Sequence, residues 1–119
     1  MRLVLPVPPS WNQTYRTGRG RFYTPSSVLD YRRAVEVIGR LAKVKEFPRE
    51  VEVCVSVWWY RKRQAGDLDK RNCTILDALQ GVWYVNDAQV AEQHLYRLTD
   101  KLNPRLEVEV TAIAEVKVA

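Results

Sequence analysis

The chain has 119 residues, with 19 Lys or Arg and 14 Asp or Glu, so its formal net charge is +5. This length fits one domain spanning residues 1–119, and it is long enough for a hydrophobic core without disulfides or a structural metal. A composition that is 46% hydrophobic and 28% charged is typical of a folded soluble protein. These values exclude a disordered chain, a large multidomain enzyme and a dinucleotide-binding fold of the usual size, and no small-molecule cofactor is expected.

The single histidine, His94, and the two cysteines, Cys54 and Cys73, form neither a CxxC pair nor a usual zinc motif. We therefore expect both cysteines to be buried and reduced. A bound metal is expected to have oxygen ligands, which favours Mg²⁺ or Mn²⁺ over zinc. Neither a signal-peptide pattern nor an apolar stretch long enough to span a membrane is found. These features predict a cytoplasmic protein that does not contact membranes.

The first third of the chain contains one strand, a basic loop and one helix. A short apolar run predicts a strand at residues 3–7, which ends where Pro8 follows. Residues 8–24 are rich in turn formers, and glycines on both sides of Arg19 indicate a loop tip between two short extended pieces. Apolar residues at helical spacing then predict a helix at residues 27–45.

The rest of the chain continues with a strand, a helix and two strands. Valines that alternate with other residues predict a strand at residues 51–60, and helical spacing predicts a helix at 70–80 with Gly81 just past its end. Two further strands are predicted at residues 89–98 and 106–118, and a hairpin at residues 100–104 joins them. The order β-loop-α-β-α-β-β predicts a single compact α+β domain, in which two main helices pack on a mixed β-sheet.

Basic residues are concentrated in two segments, at residues 16–33 and 61–71. Clustered Lys and Arg are typical of proteins that bind phosphate backbones. The same pattern also fits a solvated basic surface.

Three aspartates lie within or after the second basic segment: Asp67, Asp69 and Asp87. In an extended segment, residues i and i+2 point the same way, so Asp67 and Asp69 can share one cation if Asp69 precedes the helix. Asp87 joins them if the strand that follows it pairs beside the strand at residues 51–60. Carboxylates that hold a divalent ion among basic side chains suit phosphodiester hydrolysis.

Structural roles explain the same residues. Asp69 can cap a helix, a role worth about 1 kcal/mol, Asp67 can pair with a nearby arginine, and Asn86-Asp87 is a common turn dipeptide. Spacing alone favours these roles, because D-x-D is a weak motif. His94 is predicted to be a sheet residue rather than a general base. Four aromatic residues are predicted to be in the core or in a dimer interface: Trp58, Trp59, Trp83 and Tyr84.

The segment at residues 66–90, GDLDKRNCTILDALQGVWYVNDAQV, is similar to the central region of the RusA family of Holliday junction resolvases. The family pattern is D-x-D, then D-A-L in a helix, then D-x-Q-V. The opening LPVPPSWN, followed by Tyr15 and Arg16, and the RLE that begins the last strand also resemble the family. These matches run in order over nearly the whole chain.

The resemblance implies a homodimeric, Mg²⁺-dependent endodeoxyribonuclease, with Mn²⁺ as a substitute ion, of bacterial or phage origin. It implies that branched DNA, as four-way junctions, is cut by paired symmetric hydrolysis in recombination and repair. By position, Asp67, Asp69 and Asp87 match the metal-binding catalytic carboxylates. DNA contacts are predicted at Asn12, Tyr15, Arg16, Arg19, Arg61, Lys62, Arg63 and Arg71, of which the first three can instead anchor the N-terminal loop.

One position departs from the family pattern. A lysine four residues after the second aspartate of D-x-D is replaced by Cys73. We hypothesise that Lys70 or Arg71 supplies the missing positive charge at the scissile phosphate. Otherwise the chain is a weakly catalytic or non-catalytic module that binds branched nucleic acid, and a nuclease acting on flaps or forks is a third interpretation. Asp77 is predicted to pair with Lys70 or Arg71 or to have another structural role.

Overall fold

The structure, a computed structural model, describes residues 1–9, 16–18, 21–23, 26–64 and 69–113. At residues 16–18, 21–23, 69 and 70 it describes the backbone alone. The elements are, in chain order, β1 (Leu3–Leu5), β2 (Arg16–Gly18), β3 (Arg21–Tyr23), α1 (Ser26–Leu41), β4 (Val53–Arg61), α2 (Asp69–Leu79), a short 3₁₀ helix (Asp87–Gln89), β5 (Val90–Thr99) and β6 (Arg105–Ala112). The order of helices and strands agrees with the sequence prediction, with ends that differ by a few residues.

A four-stranded mixed sheet has the order β1-β6-β4-β5, in which β4 pairs antiparallel with β6 and parallel with β5. The alternating sequence of β4 determines its two faces. Val53, Val55, Val57 and Trp59 are buried, whereas the residues between them are half-exposed. Strand β4 is therefore the centre of the fold.

The two helices pack on the face of the sheet that carries the buried residues of β4, and we call this the covered face. Tyr31 and Val35 of α1 and Ile75 and Leu79 of α2 belong to the same core cluster as those valines. The other side of the sheet, which we call the open face, carries residues 54, 56, 58 and 60 of β4, residues 92, 94, 96 and 98 of β5, and residues 105, 107, 109 and 111 of β6. The predicted α+β layer of helices on a mixed sheet is confirmed.

Helix α1 ends at Leu41, four residues before the end that the sequence predicts, because a capping motif stops it. Lys43 adopts a positive φ of 57°. Its N–H donates to the Arg40 carbonyl at 3.1 Å, and the N–H of Val44 donates to the Gly39 carbonyl at 3.0 Å. This is the hydrogen-bond pattern of a Schellman cap, which ends a helix even where the apolar spacing continues.

The predicted hairpin between the last two strands is wrong. β5 and β6 lie on opposite sides of β4, so the segment at residues 100–104 crosses the end of β4 instead of turning directly back. The Asp100 N–H donates to the Arg61 carbonyl at 2.8 Å, and the Asp100 side chain pairs with Arg105 at 2.9 Å. A β5–β6 hairpin would place β4 at the edge of the sheet. Because β4 carries the most buried apolar residues, it lies instead between β5 and β6.

The basic N-terminal loop contains the two extended pieces that the sequence predicts, since β2 and β3 form an antiparallel pair. Its tip at residues 19 and 20 lies outside the described residues. Strand β6 ends at Ala112, and the predicted extension to residue 118 falls largely on residues 114–119, which also lie outside them. Among the helices that the structure describes, none is both long and apolar enough to cross a membrane.

Candidate active site

Strand β4, helix α2 and strand β5 form a β-α-β unit, in which α2 carries the chain back so that β5 can run parallel to β4. A pair of side-chain amides holds α2 on β5. Asn72 Nδ2 donates to Gln93 Oε1 at 3.1 Å, and Gln93 Nε2 donates to Asn72 Oδ1 at 2.7 Å. Because Gln93 pairs with Val55, this contact fixes α2 over both strands of the unit.

Asp69 is the first residue of α2, so the requirement that it precede the helix is not met. The helix begins one residue earlier than the sequence predicts. An aspartate in the first helical turn is favourable, because the unpaired N–H groups there carry partial positive charge. Asp67 lies outside the described residues, as does the rest of the segment 65–68.

Asp87 is exposed and begins the 3₁₀ helix that leads into β5. Its own N–H donates to Gln80 Oε1 at 2.8 Å, which links this turn to the end of α2. The preceding residue, Asn86, accepts the N–H of Ala88 on its side chain at 2.8 Å. The backbone of Asp87 is therefore held on both sides, while its carboxylate faces solvent.

Gln89 is a buried residue whose side chain holds this turn in place. It is 5% exposed, and each end of its amide has two backbone partners. Its Oε1 accepts the N–H groups of Val85 and Asn86 at 2.8 and 3.0 Å, and its Nε2 donates to the carbonyls of Pro48 and Val51 at 2.8 and 2.9 Å. Gln89 thus joins the Asp87 turn to the chain that enters β4.

The buried Tyr84 is within electrostatic reach of two carboxylates of this region. Its hydroxyl donates to the Leu76 carbonyl at 2.6 Å. Burial raises the pKa of Tyr84 far above its usual value, and the negative charges of Asp87 and Asp77 raise it further. The hydroxyl therefore stays protonated and remains a hydrogen-bond donor at any physiological pH.

Asp87 also lies at the rim of an open cavity of about 240 Å³ whose other walls are Leu76 of α2 and residues 90–93 of β5. Leu76 is seven residues after Asp69, which corresponds to about 10 Å along the helix axis.

The expected pairing of the strand after Asp87 with β4 is confirmed, but it is parallel, with Val90 beside Val53 at the start of β4. Asp67, by contrast, follows the far end of β4. Pairing alone therefore does not bring the three aspartates together, and their convergence stays a prediction.

Two of the predicted DNA-contacting arginines lie against one tryptophan. Arg71 Cζ is 4.7 Å and Arg61 Cζ is 5.9 Å from the centroid of the buried Trp59 ring. Arg71 Nε also donates to the Pro8 carbonyl at 3.2 Å, which ties α2 to the segment after β1. This arrangement brings the end of β4 and the first turn of α2 together as one positively charged region.

The other predicted DNA contacts have different positions. Lys62 and Arg63 are exposed directly after β4. Only the backbone of Arg16 is described, in β2. Asn12, Tyr15 and Arg19 lie outside the described residues, and the side chain of Lys70 does as well.

Asp77 has an ion-pair partner that the sequence does not indicate. Its carboxylate forms an ion pair with Arg32 of α1 at 3.5 Å, and its pairing with Lys70 or Arg71 stays a prediction. The spacing of residues on one helix predicts only neighbours on that helix, whereas α1 packs directly against α2. Asp77 thus has a structural role in linking α1 to α2.

The cysteines differ from the sequence prediction, whereas the histidine agrees with it. Cys73 is exposed on α2 and Cys54 is half-buried on the open face, so neither is a core residue. His94 lies in β5, as predicted. Cys54, Glu92 and His94 place one ligand atom each within 4.8 Å of one another, although the sequence argued against such a cluster.

Among the aromatic residues, Trp59, Trp83 and Tyr84 are buried in the core. Trp58 instead lies on the open face, stacked on Tyr96 with ring centroids 5.6 Å apart. Arg2 covers the ring of Trp58 at 3.7 Å.

Four amide side chains that position the elements of the site are not among the predicted functional residues: Asn72, Gln80, Gln89 and Gln93. For Gln89 a signal was present, because Asn86 followed three residues later by Gln89 is a capping-box pattern. The structure confirms that both reciprocal bonds of this box are present. The Asn72–Gln93 pair joins residues that are 21 positions apart, and no local pattern indicates it.

A β-α-β unit with an acidic turn at one rim, and with Arg61 and Arg71 around Trp59, offers groups that can contact a phosphate backbone. The family pattern of endodeoxyribonuclease RusA matches residues 6–111, so the chain belongs to the RusA endodeoxyribonuclease family. This family consists of Holliday junction resolvases, which are phosphodiester hydrolases. A search of curated proteins gives no significant match to the chain.

Proposed function

We propose that this protein cuts four-way DNA junctions with Mg²⁺, by paired symmetric hydrolysis during recombination and repair. The observation that carries the proposal is the fixed turn of Asp87 at the rim of a cavity that it shares with α2, the helix that begins at Asp69. Family membership supplies the reaction class, and the fixed turn supports the choice of Asp87.

Asp67, Asp69 and Asp87 would hold the ion, with Mn²⁺ as a substitute. The donor set fits, because carboxylate oxygens are the ligands that Mg²⁺ prefers. When bound, such an ion lowers the pKa of water and neutralises charge on the leaving oxygen. Water adds to phosphorus, the bond from phosphorus to the 3′ oxygen breaks, and the products carry a 5′-phosphate and a 3′-hydroxyl.

We choose Lys70 as the residue that supplies the positive charge of the family lysine, which Cys73 replaces. It precedes Cys73 by three residues, so the two lie on adjacent parts of one helix surface. Arg71 is less suited to contact a moving phosphate, because its Nε is bonded to Pro8 and its guanidinium lies over Trp59. We assign Arg71, with Arg61, Lys62 and Arg63, to holding the DNA backbone.

We also infer that two copies act together. A four-way junction presents equivalent strands related by a two-fold axis, and a dimer places one active site at each. Exposed apolar side chains on the described surface, including Val4, Tyr96 and Leu98, are consistent with an interface. Sedimentation equilibrium is expected to show a dimer at the concentrations at which paired cuts occur. A monomer that makes paired cuts would contradict this inference.

The central experiment measures nicking of a labelled synthetic four-way junction with and without Mg²⁺. Asp67→Asn and Asp87→Asn should each abolish cleavage and keep or tighten junction binding, since a negative charge near the phosphates is lost. The matched control is Asp30→Asn, which removes an exposed aspartate from α1. Cleavage by Asp87→Asn at the wild-type rate would remove Asp87 from the site.

A second set of variants tests the charge near Cys73. Lys70→Ala should slow cleavage with little change in binding, Arg71→Ala should mainly weaken binding, and Cys73→Lys should partly restore cleavage to Lys70→Ala. If neither alanine variant slows the reaction, the hypothesis that Lys70 or Arg71 supplies the missing positive charge is wrong. Salt-sensitive binding by the wild type without cleavage in either metal would instead indicate a binding module.

A further inference from the structure

Three potential metal ligands meet on the open face, away from the core. The Sγ of Cys54, a carboxylate oxygen of Glu92 and a ring nitrogen of His94 all lie within 4.8 Å of one another. Glu92 and His94 are exposed, and Cys54 is a free thiol that is half-buried beside them. The group therefore combines a thiol, a carboxylate and an imidazole at a surface that solvent ions can reach.

An irregularity in strand pairing creates this cluster. Val53 pairs with Val90, but Cys54 pairs with Glu92, so Ala91 is an extra residue on β5. Without this bulge, Cys54 would face Ala91, and Glu92 would share the covered face with Val55. Bulges re-aim side chains in this way and are common next to functional sites.

The position of His94 follows from the same bulge. His94 pairs with Ser56 and is two residues from Glu92, so both side chains project from the open face. His94 Nε2 and Glu92 Oε1 are 2.7 Å apart. Two of the three ligand atoms are thus already in contact, and the Cys54 sulfur lies on the neighbouring strand.

The distances suit a tetrahedral ion after a small side-chain movement. Zinc bonds to sulfur at about 2.3 Å and to nitrogen or oxygen at about 2.0–2.2 Å, which places ligand atoms about 3.5 Å apart in a tetrahedron. The His94 and Glu92 atoms, now 2.7 Å apart, would move slightly apart, and no pair among the three ligand atoms is separated by more than 4.8 Å. Thiolate and imidazole ligands favour zinc over Mg²⁺, so the site would not compete for the ion of the aspartates.

We propose that Cys54, Glu92 and His94 form a zinc site with three protein ligands and one position open to water. On binding, the Cys54 thiol proton is released to solvent as the sulfur–zinc bond forms. The ion would link β4 to β5, which in the described part of the chain pairs with β4 alone. Zinc would therefore stabilise the strand that begins directly after the Asp87 turn.

The test is a Co²⁺ titration of the full-length reduced protein, followed by absorption spectroscopy. The wild type should show a thiolate-to-cobalt charge-transfer band that saturates at one equivalent and is lost when Zn²⁺ is added. Cys54→Ser should lose the band, and His94→Ala and Glu92→Gln should weaken cobalt binding. These last two residues are exposed, so their variants keep the test valid if Cys54→Ser folds poorly. Excess Mg²⁺ should leave the band unchanged.

Cys73→Ser is the matched control, because it removes the other cysteine, and it should retain the band. Zn²⁺ should also raise the melting temperature of the wild type and of Cys73→Ser but not that of Cys54→Ser. Loss of the band in Cys73→Ser, its retention in Cys54→Ser, or no band in the wild type at stoichiometric Co²⁺ would overturn the proposal.

Discussion

The residues that hold the Asp87 turn on the covered side and the Glu92–His94 pair on the open face differ in how firmly their polar side chains are fixed. On the covered side and its rim, Gln89 has four backbone partners, and Asn72 and Gln93 bind each other through both ends of their amides. On the open face, Glu92 and His94 are exposed and share a single contact. The first arrangement keeps the Asp87 turn in one geometry, whereas the second leaves the side chains of Glu92 and His94 able to move.

The apolar residues of the two faces should differ most in their effect on stability. Leu106 of β6 is completely buried on the covered face, and Leu98 of β5 is 37% exposed on the open face. Leu106→Ala should lower the free energy of unfolding by about 2–5 kcal/mol, because it leaves a cavity. Leu98→Ala should change it by about 0.5 kcal/mol or less. Urea denaturation of both variants checks this, and equal losses would contradict the assignment of the faces.

Gln89→Ala should have the next largest effect. It leaves two backbone N–H groups and two carbonyls without their partner, and we expect a loss of about 1–3 kcal/mol. Cleavage should fall as well, while junction binding is kept, because the Asp87 turn loses its support. Gln64→Ala, at an exposed position, is the control. A variant that loses neither stability nor cleavage would show that the turn is held without Gln89.

A pair of double-mutant cycles compares the polar contacts of the two faces directly. Alanine substitutions at Asn72 and Gln93 should give a coupling free energy of about 0.5–1.5 kcal/mol. The same cycle at Glu92 and His94, with metal removed by a chelator, should give only about 0.2 kcal/mol, because exposed ion pairs contribute little. Thermal or chemical unfolding of the seven proteins, the wild type being common to both cycles, measures both values. A larger coupling at Glu92 and His94 would reverse the comparison.

The smallest effect is expected at the β5–β6 connection. A hydrogen bond from Arg105 lowers the pKa of Asp100 below its ordinary value, and the backbone N–H groups of Asn103 and Leu102 lower it further. A depressed pKa contributes stability above the unfolded-state pKa, and this contribution is lost as the pH falls through the folded-state pKa. Asp100→Asn should therefore be less stable than the wild type at neutral pH, and the difference should shrink in acid. Unfolding measured at several pH values tests this, and a difference that is constant with pH would refute it.

The site could be predicted only in part from the sequence. The D-x-D and D-x-Q-V patterns indicated the family and its candidate carboxylates, because the spacing of short motifs is a local property. The ion pair of Asp77 with Arg32 could not be predicted, since an ion pair between two helices depends on how those helices pack. The Cys54, Glu92 and His94 cluster was missed for the same reason, because it depends on the register of β4 with β5 and on one bulge.

By itself, the sequence determined the type and order of the helices and strands, the alternating faces of β4, and the family. These features depend on spacings of two to four residues, which the backbone geometry of strands and helices converts directly into faces. Only the tertiary structure decided the central place of β4, the crossing of the β5–β6 connection and the contacts around Asp87. These depend on which distant strands pair, and that pairing is set by the burial of apolar side chains across the whole chain.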